Sequence, residues 1–190
     1  MGQWTGTHAR TWETIVRLLN GEFRSLAPDT RGHGDSGRPE DLDAYNWSNM
    51  GKDLLAIMER LALGPETFAA GHSAGGTQIA YCQFQHPGTF SRAVLIDPII
   101  GPKGLTSSPS PMGDAARRRR FEFPSKEDAL ANFMSKPPMN AWMPECVEAY
   151  VNFGFEDTAE GTVVLKCSPE IEGAFYDRGG VPDLFERLAE

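Results

Sequence analysis

The segment that most constrains the fold is Gly71-His72-Ser73-Ala74-Gly75, in which a serine stands between two glycines. An apolar, strand-like run from Thr67 to Gly71 leads into it, and a helical pattern from Ala74 to about Gln85 follows. This context predicts a sharp, strained strand-to-helix turn, because side chains at the two glycine positions would collide. Such a turn would expose the Ser73 hydroxyl at the carboxyl edge of the sheet and aim the Ala74 N–H toward the same point.

The rest of the first half alternates between helical and strand-like patterns. Apolar residues repeat at helical spacing over residues 12–19 and again from about Ser48 to Leu61. Short apolar runs from Phe23 to Pro28 and from Arg92 to Asp97 read as strands. The second of these runs is almost continuously apolar, which predicts a strand buried on both faces. Strands that alternate with helices predict an α/β fold with a parallel sheet.

The character of the sequence changes after Pro98. Residues 101–113 are rich in Gly, Pro and Ser and read as a loop. Helical patterns follow, beginning with a capping box formed by Ser125 and Asp128. We therefore divide the chain into a sheet-bearing part, residues 1–98, and a mostly helical part, residues 99–190.

Composition excludes several classes of protein. The 190 residues hold 18 Lys and Arg against 26 Asp and Glu, a net charge of −8, which argues against a general nucleic-acid binder. We read the basic run Arg117 to Arg120 as a solvated helix face, with an anionic-ligand patch as the alternative. Three scattered cysteines and the lack of a signal peptide indicate a cytoplasmic protein, and no apolar stretch is long enough to span a membrane.

Four segments in order along the first half carry a family resemblance: TGTHARTW at 5–12, LAPDTRGHGDSGRP at 26–39, AGHSAGG at 70–76 and AVLIDP at 93–98. The sequence resembles the α/β-hydrolase fold family in these segments, and more specifically its capped, serine-nucleophile, esterase- or lipase-like members. The resemblance implies a partial α/β-hydrolase sheet in residues 1–98 and a helical cap in residues 99–190. It also implies hydrolysis of esters or related acyl compounds.

The resemblance assigns roles to individual residues. Ser73 would be the nucleophile, and the Ala74 N–H would be one donor of the oxyanion hole. The second donor would be the Gln3 N–H, just after Gly2, although Met1 stands where the family has a histidine. We expect a small, partly apolar substrate, no cofactor and no metal, because no metal cluster or nucleotide-binding loop is present. Seven aromatic residues between Phe121 and Phe155 either line an apolar pocket or pack the cap.

The general base and its carboxylate are harder to place. In this family a carboxylate and then a histidine follow the serine along the chain, and here the only downstream histidine is His86. Thirteen helical residues put His86 roughly 20 Å from Ser73, so we expect it to be a helix-end residue. We expect His33 to be structural and His8 to open the first helix, while His72 adjoins the serine. Asp97 is the possible acid, or else it only ends its strand before Pro98.

The missing parts of the pattern lead to three hypotheses about function. The family's third strand would precede Met1, so segments 23–28 and 67–71 would flank an empty slot, which suggests a fragment of a longer hydrolase with little turnover of its own. The alternatives are a non-catalytic, hydrolase-like small-molecule binding protein and assembly with another chain that supplies the remaining strands and the histidine. The oligomeric state stays open.

Overall fold

The computed structural model describes residues 1–3, 5–102, 109–181 and 183–189. The α-helices in these ranges are α1 (Glu13–Leu18), α2 (Trp47–Arg60), α3 (Ala74–Gln85), α4 (Pro111–Arg118), α5 (Lys126–Met134), α6 (Pro144–Gly154) and α7 (Pro169–Asp177). The strands are β1 (Phe68–His72), β2 (Arg92–Ile96), β3 (Glu122–Phe123), β4 (Phe155–Asp157) and β5 (Val163–Leu165). Short 3-10 helices cover Ala9–Trp12, Leu42–Tyr45, Met139–Ala141 and Glu186–Ala189.

A parallel sheet is built around β1. It pairs with β2 in register from Phe68 opposite Arg92 to His72 opposite Ile96. On its other side Gly2 forms a parallel bridge with Gly71. The Gly2 N–H donates to the Ala70 carbonyl at 2.7 Å, and the Gly2 carbonyl accepts from the His72 N–H at 3.2 Å. The residues just after Met1 therefore run beside β1, and the parallel arrangement predicted from the alternating patterns is confirmed.

Helices α2 and α3 pack against each other and against one face of this sheet. Helix α2 begins where the Asn46 side chain accepts a hydrogen bond from the Asn49 N–H at 2.9 Å, close to the predicted start near Ser48. The two helices approach closely, since a Cβ atom at Gly51 would lie 2.1 Å from the Tyr81 ring. The core between these helices and β1 contains Met58, Ala69, Ile79, Tyr81, Cys82 and Phe90.

The strand predicted for residues 23–28 does not form. Met1 N donates to the Leu26 carbonyl at 2.6 Å, but no ladder continues from it within the described residues. A cavity of about 770 Å³ opens beside this segment, lined by Met1, Gly2, Pro28 and a face of α2 that carries both apolar and charged side chains. The segment stays irregular because an extended chain needs a partner strand to complete its hydrogen bonds.

The prediction that residues 92–97 are buried on both faces is wrong. The strand is present as β2, but all five of its residues are exposed, and Val94 keeps 59% of its accessible surface. Phe68 of β1 is also about half exposed. Its ring lies near the ring of Phe23 and the guanidinium of Arg92. An apolar run shows that a strand is suited to burial on both faces. Whether it is buried depends on other elements packing against those faces, and in the described residues they leave β2 exposed.

The part after Pro98 contains more than helices. Strands β3, β5 and β4 form a three-stranded antiparallel sheet in that order. Helix α5 begins at Ser125, whose hydroxyl accepts from the Asp128 N–H at 3.0 Å, which confirms the predicted cap. Residues 103–108 of the predicted loop lie outside the described ranges, and α4 already begins at Pro111 within it.

The aromatic residues of this part pack mostly with one another. Phe123, Phe133, Tyr150 and Phe155 are buried in one cluster with neighbouring rings 5.2 to 6.4 Å apart. Of the two readings offered for the aromatics, packing is therefore the correct one for these four residues. Phe121 and Phe153 remain partly exposed.

Two arginines of the basic run join α4 to α7 by ion pairs. Arg117 contacts Asp177 at 2.6 Å, and Arg119 contacts the buried Glu172 at 2.6 Å. The interpretation of this run as a solvated helix face is therefore wrong for these two residues. Helix α7 in turn packs on the first half of the chain through a shared core of Tyr45, Trp47, Met50, Ala74, Ala174 and Phe175.

Candidate active site

Ser73 occupies a sharp turn between the last residue of β1 and the first residue of α3. Its backbone has φ 54° and ψ −121°, a conformation that non-glycine residues rarely adopt. The turn is fixed on both sides: the Ser73 N–H donates to the Ile96 carbonyl at 2.9 Å, and the Ser73 carbonyl accepts from the Thr77 N–H at 3.1 Å. Such a conformation costs roughly 1–3 kcal/mol and persists only where the surroundings enforce it.

The glycines around Ser73 are required by close backbone approach. A Cβ atom at Gly71 would lie 2.6 Å from the Gly75 carbonyl carbon. A Cβ atom at Gly75 would lie 2.3 Å from the Gly2 carbonyl carbon. These neighbours are backbone atoms that cannot rotate away, which agrees with the collisions expected from the sequence.

The two residues predicted to donate to an oxyanion lie close to this turn. Ala74 begins α3, and the first N–H groups of a helix have no partner within it. Gln3 is buried, and its carbonyl oxygen would lie 2.7 Å from a Cβ atom at Gly75. The structure therefore places the Gln3 backbone beside the first turn of α3.

Asp97 lies at the same edge of the sheet but is exposed. It follows β2 directly and has φ 45°. Burial lowers the pKa of the neighbouring His72, and the negative charge of Asp97 opposes this shift, so the two side chains interact. Asp97 is thus close to the turn, and its role as the acid stays a prediction.

Two of the four histidines are buried and bonded away from Ser73. His33 is fully buried, with Nε2 accepting from the Gly6 N–H and Nδ1 bonded to the Arg31 carbonyl, both at 3.0 Å. His8 precedes the first 3-10 helix, as expected, and its Nε2 contacts the Tyr150 carbonyl at 3.2 Å. Burial lowers the pKa of both imidazoles.

The other two histidines do not supply a base at Ser73. His86 is exposed just after α3, thirteen positions from Ser73, or roughly 20 Å at the usual rise, as expected. His72 is half-buried at the end of β1. No hydrogen bond joins the Ser73 hydroxyl to a histidine ring in the described residues, which include all four histidines.

Sequence reasoning missed a threonine that anchors the turn. Thr77 is fully buried, and its hydroxyl lies 3.0 Å from the Ile99 carbonyl and 3.3 Å from the Ser73 carbonyl. It thus connects the first turn of α3 to the segment that follows β2. A threonine on a buried helix face was the only signal available in the sequence.

The described ranges show neither a metal site nor a membrane-spanning helix. No group of three or more His, Cys, Asp or Glu residues there is arranged to hold a metal ion. None of the helices there combines the length and the apolar character needed to cross a bilayer.

Comparison with known proteins decides the family. The family model for the alpha/beta hydrolase fold matches residues 3–145, which is most of the chain. The chain belongs to the alpha/beta hydrolase fold family. Its parallel strands, helices and strand–serine–helix turn agree with that membership.

Individual relatives show which chemistries occur in similar proteins. A non-heme chloroperoxidase from Streptomyces lividans is 33% identical over 110 residues, covering 55% of this chain and 37% of the relative. A type I acyl-CoA thioesterase from Penicillium roqueforti is 28% identical over 119 residues, covering 59% of this chain and 27% of the relative. The crystal structure of an E-2-(acetamidomethylene)succinate hydrolase superposes with a TM-score of 0.74 at 18% identity, covering 93% of this chain and 63% of that one. The matches therefore span about a quarter to two thirds of these longer relatives.

Proposed function

We propose that this chain carries the nucleophile and the oxyanion hole of a serine hydrolase that cleaves esters, thioesters or related acyl compounds. The observation that carries the proposal is the strained backbone of Ser73 between β1 and α3. Strain of this kind is concentrated at functional sites, and a structural turn would be less strained with glycine in this position. The similarity to an acyl-CoA thioesterase supports acyl chemistry.

The chemistry would begin with attack of the Ser73 hydroxyl oxygen on the substrate carbonyl carbon. A base accepts the hydroxyl proton, and the N–H groups of Ala74 and Gln3 stabilise the negative oxygen of the tetrahedral intermediate. Collapse of the intermediate releases the alcohol or thiol and leaves an acyl-serine, which water then hydrolyses. Since no hydrogen bond joins a histidine ring to the Ser73 hydroxyl in the described residues, we expect slow turnover from these residues alone.

Imidazole in solution can take the place of a missing histidine base. The test of the proposal uses this substitution. The protein and its Ser73→Ala variant are incubated with p-nitrophenyl butyrate at increasing imidazole concentrations, and acylation is followed by intact mass and by nitrophenolate release. We expect imidazole to raise the acylation rate of the wild type above that of Ser73→Ala, which reports the reaction with imidazole alone. Equal rates with no acyl adduct on the wild type would reject Ser73 as the nucleophile.

The second candidate is a non-catalytic small-molecule binding protein. It is favoured by one observation, that both ring nitrogens of His33 and the Nε2 atom of His8 are bonded to backbone groups rather than to Ser73. A binding protein would retain its ligand after Ser73→Ala and would form no covalent adduct. The appearance of an acyl-serine in the imidazole experiment would favour the hydrolase.

A further inference from the structure

We propose that His33 is a positioning residue for the loop that carries the Gln3 N–H, acting through its hydrogen bond to Gly6. The proposal rests on the proposed function, because the position of Gln3 affects rate only if its N–H stabilises an oxyanion. His33 itself lies outside the reacting groups and would act through the loop.

The tautomer of His33 follows from its two partners. The Arg31 carbonyl can only accept, so Nδ1 must carry the proton in that 3.0 Å contact. The Gly6 N–H can only donate, so Nε2 must be bare at 3.0 Å. Both ring nitrogens are therefore used, and a fully buried imidazole is fixed between two pieces of backbone.

A carboxylate also lies close to Gly6. It has φ 81°, and a Cβ atom there would lie 2.5 Å from Oε1 of Glu172. Glu172 is itself buried and accepts a hydrogen bond from Arg119 at 2.6 Å. The backbone at Gly6 thus has an imidazole that orients its N–H and a carboxylate that leaves no room for a side chain.

The side chain of Gln3 connects Gln3 to the backbone next to Gly6. The Gln3 side-chain amide donates to the Thr7 carbonyl at 2.8 Å, which ties Gln3 to the residue that follows Gly6. Gln3, Thr7 and His33 are all buried. The Gln3 backbone then contacts Gly75, next to Ala74. A shift of Gly6 is therefore expected to move the Gln3 N–H relative to the Ala74 N–H.

Protonation of His33 would remove the contact. An imidazolium carries a proton on Nε2, which would oppose the Gly6 N–H. The charged and titratable groups that face this ring are Glu172 of α7, Asp29 and His8, and the edge of the Phe175 ring packs against it at 5.1 Å. Burial lowers the pKa of His33 and outweighs the two carboxylates, so the neutral ring persists at neutral pH.

Two substitutions separate positioning from general stability. In His33→Gln the side-chain carbonyl reaches about as far as Nε2 and can still accept from Gly6. In His33→Asn the shorter side chain reaches only the position of Nδ1 and can contact Arg31 alone. Each variant is studied for imidazole-dependent acylation of Ser73, for hydrogen exchange of the Gly6 amide by NMR, and for thermal unfolding.

We expect His33→Asn to lower the acylation rate about 10- to 100-fold, since misplacing a reacting group by about 1 Å can cost about 100-fold. We expect its Gly6 amide to exchange faster, whereas His33→Gln stays within about threefold of wild type in rate. Equal acylation by all three proteins would overturn the proposal. Equal losses in both variants that track only a lower Tm would overturn it too, because they indicate a structural role.

Failure of the proposed function is distinguishable from failure of this inference. If the wild type forms no acyl-serine, the proposed function is rejected and the exchange measurement decides the positioning role. Faster Gly6 exchange in His33→Asn but not in His33→Gln then supports the role of His33 in holding the loop. Unchanged Gly6 exchange in His33→Asn overturns it.

Discussion

Gly75 and Gly2 are in direct backbone contact, so close that a Cβ atom on Gly75 would lie 2.3 Å from the Gly2 carbonyl carbon. This contact brings the loop with Gln3 against the first turn of α3. It also connects two segments separated by more than 70 positions in the sequence. The candidate oxyanion hole therefore depends on one position being without a side chain.

Replacement of Gly75 by alanine tests this contact. We expect Gly75→Ala to push the loop away, to abolish imidazole-dependent acylation and to lower the free energy of unfolding by about 1–3 kcal/mol, the usual cost of overpacking. The matched control is Gly37→Ala, where a Cβ atom would meet nothing within 4 Å. Urea unfolding of both variants provides the comparison, and a Gly75→Ala protein as stable as the control would contradict the contact.

The strain at Ser73 predicts that removing the side chain stabilises the chain. Glycine adopts φ 54° freely, so we expect Ser73→Gly to gain up to about 1 kcal/mol in unfolding free energy. Ser73→Ala keeps the strain and should unfold close to the wild type. Both variants should lose acylation. The difference between their denaturation midpoints then measures the free-energy cost of the strained backbone at position 73. A glycine variant no more stable than the alanine variant would argue against strain.

Because β2 is exposed, we expect truncation of its apolar side chains to cost little stability. Val147 of α6 is 1% exposed, and we expect Val147→Ala to cost about 2 kcal/mol. We expect Val94→Ala to change stability by less than about 0.5 kcal/mol, since its side chain is already in solvent. Chemical denaturation of the pair measures this directly, and a comparable loss in both variants would mean that β2 is buried in solution.

The ion pair of Arg119 with Glu172 should contribute far more than a surface pair. Glu172 is buried, so Arg119→Ala leaves its carboxylate without a cation, and we expect a loss of about 3 kcal/mol. Arg17→Ala breaks an exposed pair with Glu13 and should cost less than about 0.5 kcal/mol. Thermal unfolding of the two variants tests the difference, and similar midpoints would show that the buried pair contributes little.

Burial of His33 makes stability depend on pH in a defined direction. The pKa of the folded-state imidazole lies below the ordinary value of 6.5, so the unfolded chain binds the proton more readily. The stability from this group is complete above about pH 6.5 and is lost as the pH falls below it. His8 has the same direction of shift and contributes likewise.

We expect His33→Gln to show a shallower loss of unfolding free energy between about pH 7 and pH 5 than the wild type. Identical pH profiles would mean that His33 is not buried in its neutral form.

Local features of the fold were predictable from the sequence. The turn at Ser73 and the cap at Ser125 each depend on residues close together in the chain, where a few side chains decide the backbone. The need for glycine at position 71 was also predictable, since the turn itself brings the backbone of Gly75 against it. At Gly75 the close neighbour is Gly2, which lies far away in the sequence.

Features that depend on distant neighbours were not predictable. Residues 23–28 and 92–97 were both predicted as strands from short apolar runs, yet the first is irregular and the second forms the exposed strand β2. The difference arises from which strands are available to pair with them. The bonds of His33 to Gly6 and of Arg119 to Glu172 join residues 27 and 53 positions apart, and nothing in the local pattern around either residue indicates its partner.

The edge of β2 that faces away from β1 affects how this chain behaves at high concentration. The Ser73 N–H bonds to Ile96, so alternation along the strand turns the N–H and C=O groups of Ala93 and Leu95 away from β1, and no other strand of the described ranges pairs with them. An exposed edge with Ala, Val, Leu and Ile in sequence is a template on which a second strand can add. Aggregation should therefore rise steeply with protein concentration, and a lysine at position 93 or 95 should suppress it without disturbing the turn at Ser73.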